Sequence, residues 1–239
     1  MSKIIKFIPK HDLAGTLAKP TSGKSHIPQW YKDAEIDSIP APHKEGGGGL
    51  KTCVPVLDAL VSGYIIETYK DIGVEKYRGS YRAYTLRHDG TKEFFVTLSD
   101  SGIIDERTST AAQTMPRPAG HAQNHMVWSG WWGWKTPRGW STLVTHPINR
   151  FDLPFTVVGG LMDSDKYYTP GNLPFFFKED FEGIIPKGTP ICQVFPVKRK
   201  NWFSVLDENL IPNMAKLQDE TGLIDRYYRD FKWVKKEYK

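Results

Sequence analysis

The amino-acid sequence predicts a mainly β chain: a single sandwich- or barrel-like domain with an extended N-terminal arm and C-terminal amphipathic helices. Three observations carry that reading. Between about Lys51 and Phe203, short runs rich in Val, Ile, Thr and aromatic residues recur between Gly, Pro and Asp-Gly turns, the pattern of short strands closely spaced. Residues 1–50 are interrupted by Pro and Gly too often for a regular helix or a central strand. From Asn209 onward, apolar residues return at helical spacing instead. A chain of 239 residues with 39% hydrophobic and 13% aromatic side chains has enough large apolar groups for one such core.

Taken in order, the arm (1–50) offers KIIKFIP as one edge strand, followed by HDLAGTLAKPTSGKSHIPQWYKD and SIPAPHKEGGGG, both broken by Pro and Gly. Ile27, Trp30, Tyr31 and Ile36 are too apolar for a tether. The arm is therefore expected to lie on the core with Trp30 as its anchor, and Gly46 to Gly49 to act as a flexible joint. The core (51–205) starts with a short helix or turn around Leu57 to Val61 and a strand from Tyr64 to Tyr69. RAYTLRHD (82–89) and KEFFVTLS (92–99) flank Asp89-Gly90, a hairpin signal because both residue types tolerate positive φ.

Arg107 to Gly120 is polar and aperiodic and reads as a surface loop. Strands are expected at Trp131 to Lys135, Trp140 to His146 and Phe155 to Leu161, with Pro137-Arg138-Gly139 as a tight turn. LPFFFKED gives another strand, and the segment FEGIIPKGTPICQVFPVKRKNWF reads as two short runs turning back at an edge. The extension (206–239) carries Leu210, Met214, Leu217, Leu223, Ile224, Tyr227, Tyr228, Phe231 and Val234 on one or two helices, with Gly222 as a break.

No run approaches the roughly 20 apolar residues needed to cross a bilayer. The start MSKIIKFIPKHD has too short an apolar run for a signal peptide. Residence in the cytoplasm is the expectation, with no membrane partner. Cys53 and Cys192 lie far apart in apolar stretches, which suits reduced core thiols rather than a disulfide framework. A net charge of +5 and a pI near 9.0 permit attraction to acidic partners without requiring it. The basic runs PVKRK and FKWVKKEYK read as solvated patches, and with no nucleic-acid-binding signature beside them, nucleic acid is not an expected partner.

Three groups of residues are candidates for chemistry. His121, His125 and His146 are imidazoles that could ligate Fe, Zn or Ni if neighbouring strands converge. On one strand, however, His121 and His125 would lie about 13 Å apart. Asp163, Asp165 and Tyr167 form an acidic, tyrosine-bearing segment able to orient water, hold a cation or stack on a ring, or simply to make a turn. Asn149, Arg150 and Gln193 are further possible binding groups. Trp128, Trp131, Trp132 and, in the arm, Trp30 offer aromatic area for a partner or for packing. If they share a strand, Trp131 and Trp132 must face opposite ways, so one of them needs a cover from the arm, a helix or a partner. No P-loop, GxGxxG, GxSxG or CxxC motif occurs.

The run GGLMDSDKYYTPGNLPFFFKEDFEGIIPKGTPICQVFPV resembles the second half of the dUTPase and dCTP deaminase β-clip domain. Gly160, Asp163 and Tyr167 fall on one of its segments, and Gly188, Ile191 and Gln193 on another. This likeness implies a β-clip or jelly-roll type of fold and admits nucleotide processing. IPQWYKDA (27–34), WKTPRGWSTLVTHPINRFDLPF (134–155), GLMDSDKY (160–167) and FEGIIPKGTPICQVFPVKR (181–199) together resemble an uncharacterised family of tailed-phage and bacterial proteins. That likeness implies a phage or phage-like origin and brings no activity with it.

These readings favour a non-enzymatic structural or assembly protein, a virion component without a cofactor. It would act in the host cytoplasm or within the virion and contact its own copies or other subunits. The alternatives are a cupin-like oxygenase using Fe or another divalent metal, a nucleotide-processing β-clip enzyme, and a host-interaction or sugar-binding module built on the tryptophans.

Overall fold

A computed structural model of the chain describes residues 3–35, 49–95, 103–107, 114–223 and 227–239. Two compact units are present, Met1–Ser22 with Gly63–Arg199, and Gly23–Ser62 with Lys200–Lys239. Ile36, Gly46 to Gly48, the end of the segment expected as a strand to Ser99, the middle of the loop expected from Arg107, and Ile224 lie outside the described residues.

The first unit holds the strands. In chain order they are β1 (Lys6–Pro9), β2 (Thr21–Ser22), β3 (Tyr64–Glu67), β4 (Ile72–Tyr77), β5 (Ser80–Leu86), β6 (Lys92–Phe94) and β7 (Ile104–Glu106). These are followed by β8 (Met126–Trp128), β9 (Trp132–Lys135), β10 (Trp140–Thr145), β11 (Phe155–Val157) and β12 (Gly160–Met162), then β13 (Leu173–Phe177), β14 (Gly183–Ile185) and β15 (Pro190–Lys198). They form open antiparallel sheets ordered β12-β10-β15-β3-β2, β11-β13-β8-β7 and β14-β4-β5-β6, with β1 paired to β9. The fold is thus mainly β and sandwich-like, and no described sheet closes into a barrel. In each of the three larger sheets the outermost strands have two or three residues, whereas the central β15 has nine and β5 seven.

Local sequence accounts for the turns. Arg78 and Gly79 both have positive φ, 49° and 78°, and link Tyr77 to its cross-strand partner Ser80. Two such residues make the primed turn whose twist matches a hairpin. The Asp89-Gly90 hairpin also forms, pairing Leu86 with Lys92 and Tyr84 with Phe94. Asp89 Oδ1 accepts the Thr91 amide at 2.9 Å, so the side chain itself closes the turn.

Several expectations change. The strand expected from Phe155 to Leu161 is two strands, because the chain leaves β13 after Val157 and joins β10 at Gly160. Such a switch between sheets makes a corner of a sandwich. β7 and β8 were not anticipated. Cys192 is buried as a core thiol, but Cys53, at the N-cap of a helix, is exposed. The C-terminal helix runs through Gly222 to Leu223.

The core is aromatic. Phe175, Phe176 and Phe177 are all buried, so β13 is covered on both faces and its sequence shows no alternation. Trp128 stacks on Phe175 at 4.7 Å, and Phe155 and Phe177 meet Phe175 edge-on at 5.7 and 4.9 Å, the offset and T-shaped geometries that aromatic quadrupoles favour.

The second unit contains α1 (Gln29–Asp33), α2 (Val54–Val61) and α3 (Ile211–Leu223) with short 3-10 turns. Tyr31, rather than Trp30, is its buried aromatic. The Lys51 ammonium donates to the carbonyls of Lys32 and Ala34 at 2.6 and 2.9 Å, capping the end of α1 with positive charge. Near the chain end, the Trp233 indole donates to Asp58 Oδ2 on α2 at 2.9 Å, and Lys236 pairs with the same carboxylate.

Candidate functional site

The three histidines are not brought together. His121 Nδ1 bonds the Ala119 carbonyl and Nε2 the Thr156 hydroxyl, both at 2.9 Å. His125 is buried against Phe176. His146 Nε2 donates to the Arg150 carbonyl at 3.1 Å, while Nδ1 accepts the Val157 amide at 3.4 Å. Burial, helped by the charges of Arg150 and Lys178, holds the His146 imidazole below its ordinary pKa despite the opposing bond to the Arg150 carbonyl and the charge of Asp152. Among the described residues no group of three or more His, Cys, Asp or Glu side chains is placed to hold a metal ion.

The structure does gather four candidates, His146, Asn149, Arg150 and Gln193, around one loop. Gln193 is buried in β15 and its Oε1 accepts the Ile148 amide at 2.8 Å. Asn149 takes φ of 60°, which its short polar side chain tolerates. Arg150 donates through Nε and Nη2 to Asp152, each at 2.8 Å. His146, Gln193 and Arg150 spend these bonds on the loop's own backbone and on Asp152, so they help to fix the loop.

Asp163 and Asp165 belong to a second cluster, together with partners the sequence did not indicate. Arg199, at the end of β15, donates to Asp165 Oδ1 at 2.8 Å and also to Oδ2, and reaches Asp163 Oδ1 at 3.1 Å. The Asp165 side chain is only 5% exposed, and its Oδ2 accepts the Gly139 amide at 2.8 Å. Hydrogen bonds from Arg199 and Gly139 hold its carboxyl well below the usual carboxylate range. Asp163 is lowered too, by the Ser141 hydroxyl at 2.7 Å and by Arg199. Beneath them Thr136 and Ser164, both buried, share a hydroxyl bond of 2.7 Å. Tyr167 stands apart and is exposed.

This cluster clamps the turn from β9 to β10. Thr136 Oγ1 donates to the Trp140 carbonyl at 2.9 Å, and the Arg199 amide donates to the Gly139 carbonyl at 2.9 Å. Gly139 has φ of 81°, a conformation that excludes most side chains. In sequence, Arg199 is far from both aspartates and reads as one of several basic residues in PVKRK, so only the fold reveals its role.

The tryptophans expected at a partner surface lie elsewhere. Trp128, Trp131 and Trp132 are buried in the first unit. Trp131 and Trp132 find separate covers: Tyr69 meets Trp131 edge-on at 5.1 Å, and Phe7 of the N-terminal strand β1 meets Trp132 at 6.4 Å. They leave almost no area for a partner. Trp30 is half-buried against Tyr31.

Two open clefts formed by described residues of the first unit bear on function. One, of about 980 Å³, is edged by His121, Arg150, Asp152, Lys178 and Glu179. Several of its charges are engaged internally, Arg150 with Asp152 and Lys178 with the Phe151 carbonyl at 2.6 Å. The other, of about 830 Å³, lies at the clamped turn and is dominated by cations.

In the second unit many of the exposed side chains are apolar. Trp202, Phe203, Val205 and Leu206 are 86%, 89%, 83% and 90% exposed, and α3 has no buried residue. Leu210, Ile211, Met214 and Leu217 are exposed as well and fall within a stripe about 120° wide on a helical projection. No family model and no curated protein matches the chain.

Proposed function

We propose that the chain is a non-enzymatic assembly protein of phage or phage-like origin, in which the β unit serves as scaffold and the segment 202–217 binds a neighbouring subunit. The observation that supports this is the uncovered apolar surface of that segment. Soluble chains seldom leave such contiguous area in water unless another surface covers it, and each large side chain gains about 1.5–3 kcal/mol on full burial. The neighbour is a second copy in a homo-oligomer or another virion protein, and the phage-family motifs supply that context.

Light scattering after size exclusion tests the homo-oligomer, with mass spectrometry of purified particles testing the virion role. The expected result is a multiple of 27.3 kDa that falls to the single-chain mass in Leu206→Ser/Leu217→Ser, or recovery of the chain in particles. A wild-type chain that is monomeric at every concentration and missing from particles overturns the reading.

A further inference from the structure

The cleft at the clamped turn carries Lys3, Lys6, Lys135, Arg138 and Lys166, with Asp165 as its one acidic group. That carboxylate is already taken by Arg199 and the Gly139 amide. None of the five cations forms an ion pair with a described carboxylate, and all five are exposed. Among the described residues the cleft is therefore positive, whereas the larger cleft is lined by acidic as well as basic side chains.

Two features separate it from an ordinary solvated patch. Lys6 and Lys135 stand directly opposite each other in the β1–β9 register. Like charges at opposed positions of an antiparallel pair repel and destabilise it. Part of the basic set is also restrained: the backbone at Arg138 lies at the tip of the turn held by Thr136, Asp165 and Arg199. Lys135 lies over the Tyr168 ring at 4.4 Å and Lys3 over Trp140 at 5.6 Å, contacts that restrict flexible ammonium groups. Positive charge gathered at a local cost to stability, on a pre-organised turn, is the arrangement expected of an anion-binding site.

We infer that this cleft binds a ligand carrying several adjacent phosphate groups, seated between the Lys6/Lys135 pair and Arg138. Phosphate suits it because planar guanidinium and point-charged ammonium groups together satisfy its oxygens through charge-assisted hydrogen bonds. The phosphates come either from a free polyphosphate compound or from a nucleic-acid backbone.

Isothermal titration of the full chain with inorganic tripolyphosphate, and separately with single-stranded oligothymidine, distinguishes these sources. Sodium chloride of matched ionic strength is the control. Saturable binding of tripolyphosphate, weakened about tenfold or more in Lys135→Gln/Arg138→Gln, supports the site with a free polyphosphate ligand. Far tighter oligothymidine binding, lost in the same variant, supports it with a nucleic-acid ligand. Lys6→Gln alone should raise the thermal midpoint of the unliganded chain, because it relieves the repulsion with Lys135 and leaves the contact of Lys135 with Tyr168 in place, and this readout does not depend on knowing the ligand. Absence of saturable binding by either probe, or equal binding by wild type and variant, overturns the inference.

Discussion

The indole N–H of Trp134 donates to the Thr142 hydroxyl at 2.7 Å, and both residues are buried. Trp134 lies on β9, in the two-stranded sheet, and Thr142 on β10, in the five-stranded one, so a single hydrogen bond joins two sheets where water is excluded. Thr142→Val keeps the side-chain shape and removes the acceptor. It leaves a buried donor unpaired, which costs about 1–3 kcal/mol. Urea denaturation should show a lower midpoint at unchanged slope, and an unchanged midpoint would show that the indole finds another partner.

His146 makes stability depend on pH in a defined direction. Its Nδ1 accepts an amide and its Nε2 donates to a carbonyl, so the neutral tautomer is satisfied and a second ring proton would face the Val157 N–H. Its pKa in the fold is lowered, burial being the main cause. Stability from this group is then complete above the unfolded-state value of about 6.5 and is lost as pH falls toward the folded-state value, since the unfolded chain takes up the proton first. The urea midpoint should drop between pH 7.5 and pH 5, and His146→Gln should drop less over the same interval. Equal pH dependence in the two proteins would contradict this.

Gly73 lies opposite Tyr84 in the β4–β5 register, and a Cβ at position 73 would come within 2.1 Å of the tyrosine ring. The ring lies over the glycine and is itself buried. Gly73→Ala should destabilise by about 1–3 kcal/mol, the usual result of forcing extra volume into a packed site. Combining it with Tyr84→Ala should cost less than the sum of the two single changes, because the clash needs both partners. Strict additivity in a double-mutant cycle would argue against the contact.

The elements legible in sequence were those whose signals are local. Asp89-Gly90, the strand KFIP, the run LPFFF and the apolar spacing from Leu210 each depend on a few neighbouring residues. The Arg78-Gly79 hairpin was not legible, because arginine rarely takes positive φ and nothing nearby marks it as a turn. Nor was the break after Val157, where β-rich sequence continues while its pairing partner changes.

At the candidate sites, residue type was a poor guide to neighbourhood. The histidines looked related in sequence but stand in different surroundings, His121 bonded to Ala119 and Thr156, His125 against Phe176 and His146 bonded to Arg150 and Val157, whereas Asp165, Gly139 and Arg199 looked unrelated and form one clamp. The tryptophans were visible as a cluster. Their covering by Tyr69 and Phe7 depended on pairings that no local pattern encodes.

The short outer strands of the three larger sheets limit how copies of this chain can meet. An approaching strand would find a template of two residues at β2, or three at β12, β11, β7, β14 and β6 among the described residues. The segments that nucleate cross-β stacking have about six or seven. Along these strands main-chain zippering has little to propagate along, and copies that met there would have to do so through side chains. A contact of that kind is specific and reversible, and a few substitutions can abolish it. Crowded copies of this chain should consequently form assemblies of limited size before they form fibrils.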